Sequence, residues 1–297
     1  MRKLLIGTAL IFLIPLGAWA QQDFSKVEIV VQKLSATTYM LEGAGGNLGL
    51  SIGDDAVFLI DDQFAPLTPK IQEAIAKLTP NPVKFVINTH WHFDHTGGNE
   101  NLGKAGALIV AHENVRKRLS AEGFIEFLGV KTKAEPRVAL PMVTFTRDVT
   151  FHINGDEVSV QYVPAAHTDG DAIVYFKTSD VLHMGDTFFN KRYPFIDTSS
   201  GGTMDGVIAA ADRGLAIADD STKIIPGHGP LGNKGELKAY RDMLATVSGR
   251  IKALIAQGRK LDEVLAAAPT AEYDAVWGKG FLPPAKWVEM VYKNLTK

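Results

Sequence analysis

Four side chains able to bind a metal fall within six positions: His90, His92, Asp94 and His95, in the run from Thr89 to Gly98 (THWHFDHTGG). The chain has 8 histidines in 297 residues, so composition alone does not account for such packing. Imidazole and carboxylate without thiolate, in a chain with 0 cysteines, suit zinc, iron or manganese better than copper(I). In an extended segment His90 and His92 stand two apart and point to one side, where they can chelate one ion. Asp94 and His95 fall past the bend and face another.

The motif must be held by what precedes it. Residues 83–88 (VKFVIN) form an apolar run of strand length with β-branched members, and Gly97-Gly98 follow the ligands, which predicts an exposed turn at the mouth of a strand. Three further short motifs end apolar strands in the same way: Ala165-Ala166-His167-Thr168, His183-Met184-Gly185-Asp186-Thr187 and Pro226-Gly227-His228-Gly229-Pro230. They offer His167, Asp186 and His228 from loops. Glycine on both sides of His228 permits a tight turn with no side chain in the way.

Elements around these motifs alternate. Strand-like runs at 27–34, 38–41, 48–52 and 56–60 are separated by glycine and aspartate, and 68–78 carries a helical apolar face at Ile71, Ala74, Ile75 and Leu78. A second half has strands at 149–152, 158–163, 172–176, 181–184 and 223–225, helical spacing at 204–217, and a helical pattern after Glu236. Residues 120–141 lack periodicity and mix charges with Phe124, Phe127 and Leu128, which marks a candidate lid. Trp91 and Phe93 alternate with the ligands and are expected to pack beneath the site. His112, His152 and His183 are read as structural, and Asp61 either orients a ligand histidine or caps a turn.

Arg2-Lys3, the apolar stretch 4–16 and Ala18-Trp19-Ala20 read as a cleaved secretory signal peptide over 1–20, leaving residues 21–297 as a single domain. That predicts a periplasmic or secreted protein with no stable membrane anchor after cleavage. With 31 basic against 33 acidic residues, the chain lacks the charge of a nucleic-acid surface, and a small-molecule substrate is expected.

H-x-H-x-D-H, then a downstream His, a Gly-Asp and a Gly-His-Gly, in this order on strand ends, resemble the metallo-β-lactamase superfamily over essentially the whole chain after residue 20. The resemblance implies an α+β fold, an αββα sandwich of two mixed β-sheets flanked by helices. It implies two divalent metal ions, zinc, one held by His90, His92 and His167 and the other by Asp94, His95 and His228, with Asp186 bridging. Two ions roughly 3.5–4 Å apart lower the pKa of a shared water toward about 7 and polarise a carbonyl. Asp94 would orient the nucleophile and carry a proton to the leaving group.

Branches of the family differ at these positions. The commonest zinc β-lactamases place cysteine where this chain has Asp186. The intact Asp186 turns the reading toward glyoxalase II, lactonases and related esterases. Glyoxalase II grips its thioester with basic residues in a C-terminal helical region, and Lys238, Arg241, Arg250 and Lys252 fall there, although they read equally well as a solvated helix face. The expectation is a hydrolase of an ester, lactone, thioester or amide. The alternatives are a persulfide-dioxygenase-like enzyme with one iron on His90, His167 and Asp186, and a non-catalytic metal-binding protein.

Overall fold

The computed structural model describes residues 23–297, so the expected signal peptide lies outside the described residues. The first half runs β1 (Val30–Lys33), β2 (Thr38–Glu42), β3 (Leu48–Ile52), β4 (Val57–Ile60), α1 (Thr68–Ala76), β5 (Val83–Asn88), α2 (Phe93–Thr96), α3 (Asn99–Lys104), β6 (Leu108–His112), α4 (Glu113–Leu119), β7 (Gly123–Ile125), β8 (Val130–Thr132) and β9 (Val143–Phe145). The second runs β10 (Asp148–Ile153), β11 (Asp156–Tyr162), β12 (Ala172–Phe176), β13 (Val181–His183), α5 (Met204–Ile217), β14 (Lys223–Ile225), α6 (Lys234–Ala256), α7 (Leu261–Ala266), α8 (Asp274–Trp277) and α9 (Pro284–Leu295).

Strand alternation builds the layers. In β4, Phe58 and Ile60 enter a core shared with Val158, Val160, Val174 and Phe176 of the other sheet, while Val57 and Leu59 face Ile71 and Ile75 of α1. In β12, Val174 faces the first sheet and Ile173 joins Val207, Leu237 and Val288 of α5, α6 and α9. Period-two side chains buried on both faces require helices outside both sheets. The result is the αββα sandwich, with a seven-stranded sheet ordered β1-β2-β3-β4-β5-β6-β9 and a five-stranded sheet ordered β10 to β14. Both sheets are mixed, with parallel pairing at β4-β5-β6-β9 and at β13-β14.

Helix α6 shows how the outer layer is specified. The Asn233 side chain accepts the Glu236 backbone N–H at 3.0 Å, capping the helix. Leu237, Tyr240, Leu244, Val247 and Ile251 then recur every three or four residues and are all buried, each worth roughly 1.5–3 kcal/mol in transfer. Among the described residues no helix is long and apolar enough to cross a membrane.

The segment expected to be aperiodic contains a hairpin, with β7 paired antiparallel to β8 and Gly129 turning at φ 66°. Ile125 is buried in the core, and the Glu126 N–H donates to Ser199 Oγ at 3.2 Å. Strands β6 and β9, not anticipated from the sequence, complete the parallel edge of the first sheet.

Candidate metal centre

Parallel strands bring the motifs together. Residues after β4, β5, β13 and β14 emerge at the same edge of the two sheets, where open α/β sheets commonly hold their ligands. His92 is the last extended residue after β5 (φ −65°, ψ 148°), and α2 starts immediately after it. That single helical turn swings Asp94 and His95 away from His90 and His92, as the spacing suggested. The ligand run is not exposed, however: His90, His92 and His95 are at most 4% accessible, because the second sheet closes over them.

Two groups result. His90, His92, His167 and Asp186 form one, and Asp94, His95 and His228 the other, with the donor atoms of each within 4.8 Å of one another. Asp186 joins them. Its Oδ2 lies 3.4 Å from His167 Nε2 and 3.4 Å from His228 Nε2, and its Oδ1 lies 3.0 Å from His95 Nε2. The structure therefore assembles all seven side chains singled out in the sequence.

The donor atoms fit metal ions better than they fit each other. His90 Nε2 is buried without a hydrogen-bond partner, and His95 Nε2 and Asp186 Oδ1, though 3.0 Å apart, are not aligned for a hydrogen bond; a buried group left so costs roughly 1–3 kcal/mol. His92 Nδ1 and His167 Nε2 face one another at 2.8 Å. Burial pushes His90 well below the ordinary imidazole range and brings His167 down to about 4, so both keep a free lone pair. Burial also acts to lower His95 and His228, but the adjacent Asp186 and Asp94 outweigh it, raising His95 well above the ordinary range and His228 to about 9. Burial acts to raise Asp94, yet His95 and His228 bring it down to about 2. Such a cluster asks for cationic charge, from protons or from divalent ions.

The rings of His95, His167 and His92 are aimed by their second nitrogen. His95 Nδ1 meets Asp61 Oδ2 at 2.8 Å, and Asp61 also accepts from the N–H and hydroxyl of Thr89, both at 2.7 Å. Asp61 therefore both orients a ligand and caps the turn, from a left-handed φ of 59°. His167 Nδ1 donates to the Phe195 carbonyl at 2.7 Å. His92 Nε2 meets Asp197 Oδ2 at 3.0 Å, and the other oxygen of Asp197 accepts the N–H groups of Ser199 and Ser200. Asp197 and Phe195 were not found from the sequence. The run Asp197-Thr-Ser-Ser signals a capped turn, but nothing local ties it to His92. The glycines around His228 act as expected: a Cβ on Gly227 would fall 2.0 Å from Asp186 Oδ1.

His183 bonds the Asn47 carbonyl and the Gly185 N–H. His112 caps α4 and stacks on Tyr162 at 3.9 Å, and His152 is exposed on β10, so all three stand outside the centre. Trp91 packs in the core and donates to Ser200 Oγ at 3.1 Å, whereas Phe93 lines the cleft. Lys238, Arg241, Arg250 and Lys252 pair with Asp242, Asp212, Glu272 and Asp205 on the outer helices and do not line the cleft.

That cleft, of about 200 Å³, opens over Asp94, Asp186, His92 and His228. Phe64, Phe93, Phe189, Phe195 and Phe281 form much of its wall, Ile125 and Leu128 of the 120–141 segment cover one side, and Arg192 stands at its margin.

Comparisons agree with this geometry. The family model described as Metallo-beta-lactamase superfamily matches residues 44–228. A hydroxyacylglutathione hydrolase of Polaromonas sp. (strain JS666 / ATCC BAA-500) is 27% identical over 164 residues, 55% of this chain and 55% of that protein. The 2,4-dinitroanisole O-demethylase subunit alpha of Nocardioides sp. (strain JS1661) is 28% identical over 142 residues, 46% of this chain and 39% of that one. The chain thus spans about half or less of the length of these relatives. Among solved structures, a metallo-beta-lactamase from Pontibacter korlensis superposes with a TM-score of 0.60 at 22% identity, over 73% of this chain and 99% of that one. The sec-alkylsulfatase Pisa1 from Pseudomonas sp. gives 0.65 at 19% identity, over 89% of this chain and 50% of that one. At such identities the structural likeness speaks for the fold.

Proposed function

From the premise that the chain belongs to the metallo-β-lactamase superfamily, we propose that it is a dinuclear zinc hydrolase of a small-molecule ester, lactone, thioester or amide. The observation that carries this reading is Asp186, whose carboxylate touches both ligand groups. His90, His92 and His167 would hold one ion, Asp94, His95 and His228 the other, and Asp186 both. Bound there, the ions would supply Lewis acidity and a water made acidic enough to act as nucleophile near neutral pH.

The chain's own contribution is orientation and proton handling. Asp94 and His228 are the open members, with side chains 20% and 19% accessible, and both line the cleft. Held at about 2, Asp94 is ionised at neutral pH, so its carboxylate can take a proton at Oδ1 or Oδ2 and return it to a leaving group. The phenylalanine wall excludes water and receives an apolar portion of the substrate. A single-iron dioxygenase using His90, His167 and Asp186 would leave the Asp94, His95 and His228 group without a purpose.

The test is metal content by mass spectrometry on protein purified without added metal, paired with hydrolysis of an aryl ester, a lactone, a thioester and a cephalosporin. Two zinc ions per chain with chelator-sensitive turnover is the expected result. One tightly held iron without hydrolysis would overturn it. Asp94→Asn, reloaded with zinc, is expected to lose kcat by about 10²–10⁴-fold; unchanged kcat would remove Asp94 from its role. We also propose export, on the leader-like residues 1–20, to the periplasm or the medium; an N-terminus starting at Gln21 in the exported fraction is the expected outcome.

A further inference from the structure

We propose that Arg192 is an anion anchor in the cleft wall, and that the molecule bound over the metal centre is an apolar or aromatic compound carrying an oxyanion group away from its reacting bond. The inference rests on the hydrolase reading for the word substrate, but not for the binding site itself.

Arg192 differs from the other charged groups around it. Beyond the ligand groups, it is the single formally charged side chain among the described residues that line the cleft, where the rest are chiefly aromatic or aliphatic. Among the described residues its guanidinium makes no hydrogen bond or ion pair. Its neighbour Lys191 instead turns outward to Glu236 at 3.2 Å. The nearby Asp274 is engaged by the Tyr193 hydroxyl at 2.8 Å.

The backbone that carries Arg192 is fixed on both sides. Before it, the Asn190 N–H donates to the His228 carbonyl at 2.9 Å, which ties this strand to a residue of the metal centre, and Lys191 turns the chain with φ 58°. After it, Tyr193 is buried, stacks on Trp287 with centroids 4.3 Å apart, and its N–H donates to the Trp277 carbonyl at 3.0 Å. The arginine stem lies across Gly280, where an added Cβ would come within 3.1 Å of Arg192 Cβ and 3.2 Å of its Cγ. Stem and backbone are thus held while the five N–H donors of the head remain unused. Arg192 is an exposed residue at the cleft margin, and a planar fork with free donors beside an apolar cleft matches a carboxylate, sulfonate or phosphonate.

Charge over the cleft points the same way. Its two lining carboxylates, Asp94 and Asp186, both belong to the ligand groups. A centre filled with divalent cations leaves no negative charge in the wall to oppose an anion, and Arg192 adds to the attraction. The rings of Phe64, Phe93, Phe189 and Phe195 then supply contact for the apolar body.

The experiment measures binding without turnover. Zinc-loaded protein, Arg192→Met and Arg192→Lys are titrated by calorimetry with 4-phenylbutyrate, its sulfonate and phosphonate analogues, and neutral 4-phenylbutanol. The expected result is at least one anionic probe bound roughly tenfold more tightly than the alcohol by the wild type, with that preference lost in Arg192→Met. Arg192→Lys, which keeps the charge but not the fork, should fall between. The anion that shows the largest Arg192-dependent preference identifies the headgroup. An anion preference that persists unchanged in Arg192→Met would place the anion on the metal ions and overturn the proposal, as would equal binding of all probes by the wild type. Turnover separates the two readings. Ester hydrolysis with no Arg192-dependent anion preference keeps the hydrolase and removes the anchor, whereas Arg192-dependent binding with no hydrolysis of any ester does the reverse.

Discussion

Asp197→Asn tests whether the metal centre depends on a carboxylate brought from another part of the chain. Asp197 lies 105 residues after His92, and its Oδ2 accepts a hydrogen bond from Nε2 of that ring at 3.0 Å. With Nε2 protonated, Nδ1 keeps its lone pair and faces His167 Nε2. Burial acts to raise Asp197, but the hydrogen bonds from His92, Ser199 and Ser200 outweigh it and hold the carboxyl well below the usual range, so it acts as an ionised acceptor. Asparagine keeps one oxygen for the N–H groups of Ser199 and Ser200, so the turn should survive. Its amide nitrogen toward His92 can only donate, which favours the tautomer with the proton on Nδ1, the atom meant for the metal. Loss of such an outer partner typically weakens metal affinity by about 10–100-fold, or about 1.4–2.8 kcal/mol. Competition titration with a fluorescent chelator would show one of two sites weakened by that factor, with activity recovering at high zinc. Unchanged affinity in a variant with the wild-type melting curve would refute the reasoning.

Two further outcomes follow from packing and charge. Gly46→Ala would set a Cβ 2.1 Å from His95 Cε1 and 2.4 Å from its Nε2, and Asp61 pins the ring from the other side. Metal content should therefore fall from about two ions to about one per chain, whereas Gly249→Ala at an exposed position of α6, where a Cβ meets nothing within 4 Å, should leave it unchanged. Asp171 is buried, and burial pushes its carboxyl up to about 8 despite hydrogen bonds from the Thr168 N–H and hydroxyl. A carboxyl raised in the fold is protonated there while already ionised in the unfolded chain. Its contribution is therefore largest below the ordinary 3.8 and declines as pH rises toward 8. Asp171→Asn removes that slope, so urea midpoints at about pH 5 and about pH 8 should show the variant gaining on the wild type, on the order of 1 kcal/mol per pH unit. A stability difference that does not change with pH would contradict it.

Much of this centre was legible because its ligands are local in sequence. His90, His92, Asp94 and His95 are set on two sides by one change from extended to helical backbone at His92, which a spacing of two and then one or two residues encodes directly. Strands with apolar residues on both faces, such as β4 and β12, announce layers on either side of two sheets, and the capped, periodic α6 announces part of the outer layer. The burial of the ligands was not legible. A glycine-flanked turn after a strand reads as exposed until the second sheet, which begins only at Asp148, closes over it.

Asp61 was within reach of the sequence, but Asp197 and the Phe195 carbonyl, which hold His92 and His167 from behind, escaped, and the reason is physical. A ligand histidine must sit at a definite place on its own strand end, so its surroundings carry a local pattern. Its supporting acceptor needs only to arrive within hydrogen-bond distance, and any carbonyl or carboxylate from any loop will serve. Here the supports for His92 and His167 both come from 195–197, the loop that follows Asp186. The same segment continues upstream through Tyr193 to Arg192 and the cleft wall. One stretch of chain, residues 186–197, therefore supplies the carboxylate that joins the two donor groups, one wall of the cleft and the props for two side chains of the first group. Its exact path couples metal geometry to cleft shape. Substitutions at Tyr193 or Trp287, remote from any donor atom, are expected to shift metal affinity and ligand binding together, and separate movement of the two would show that the segment is not a rigid link.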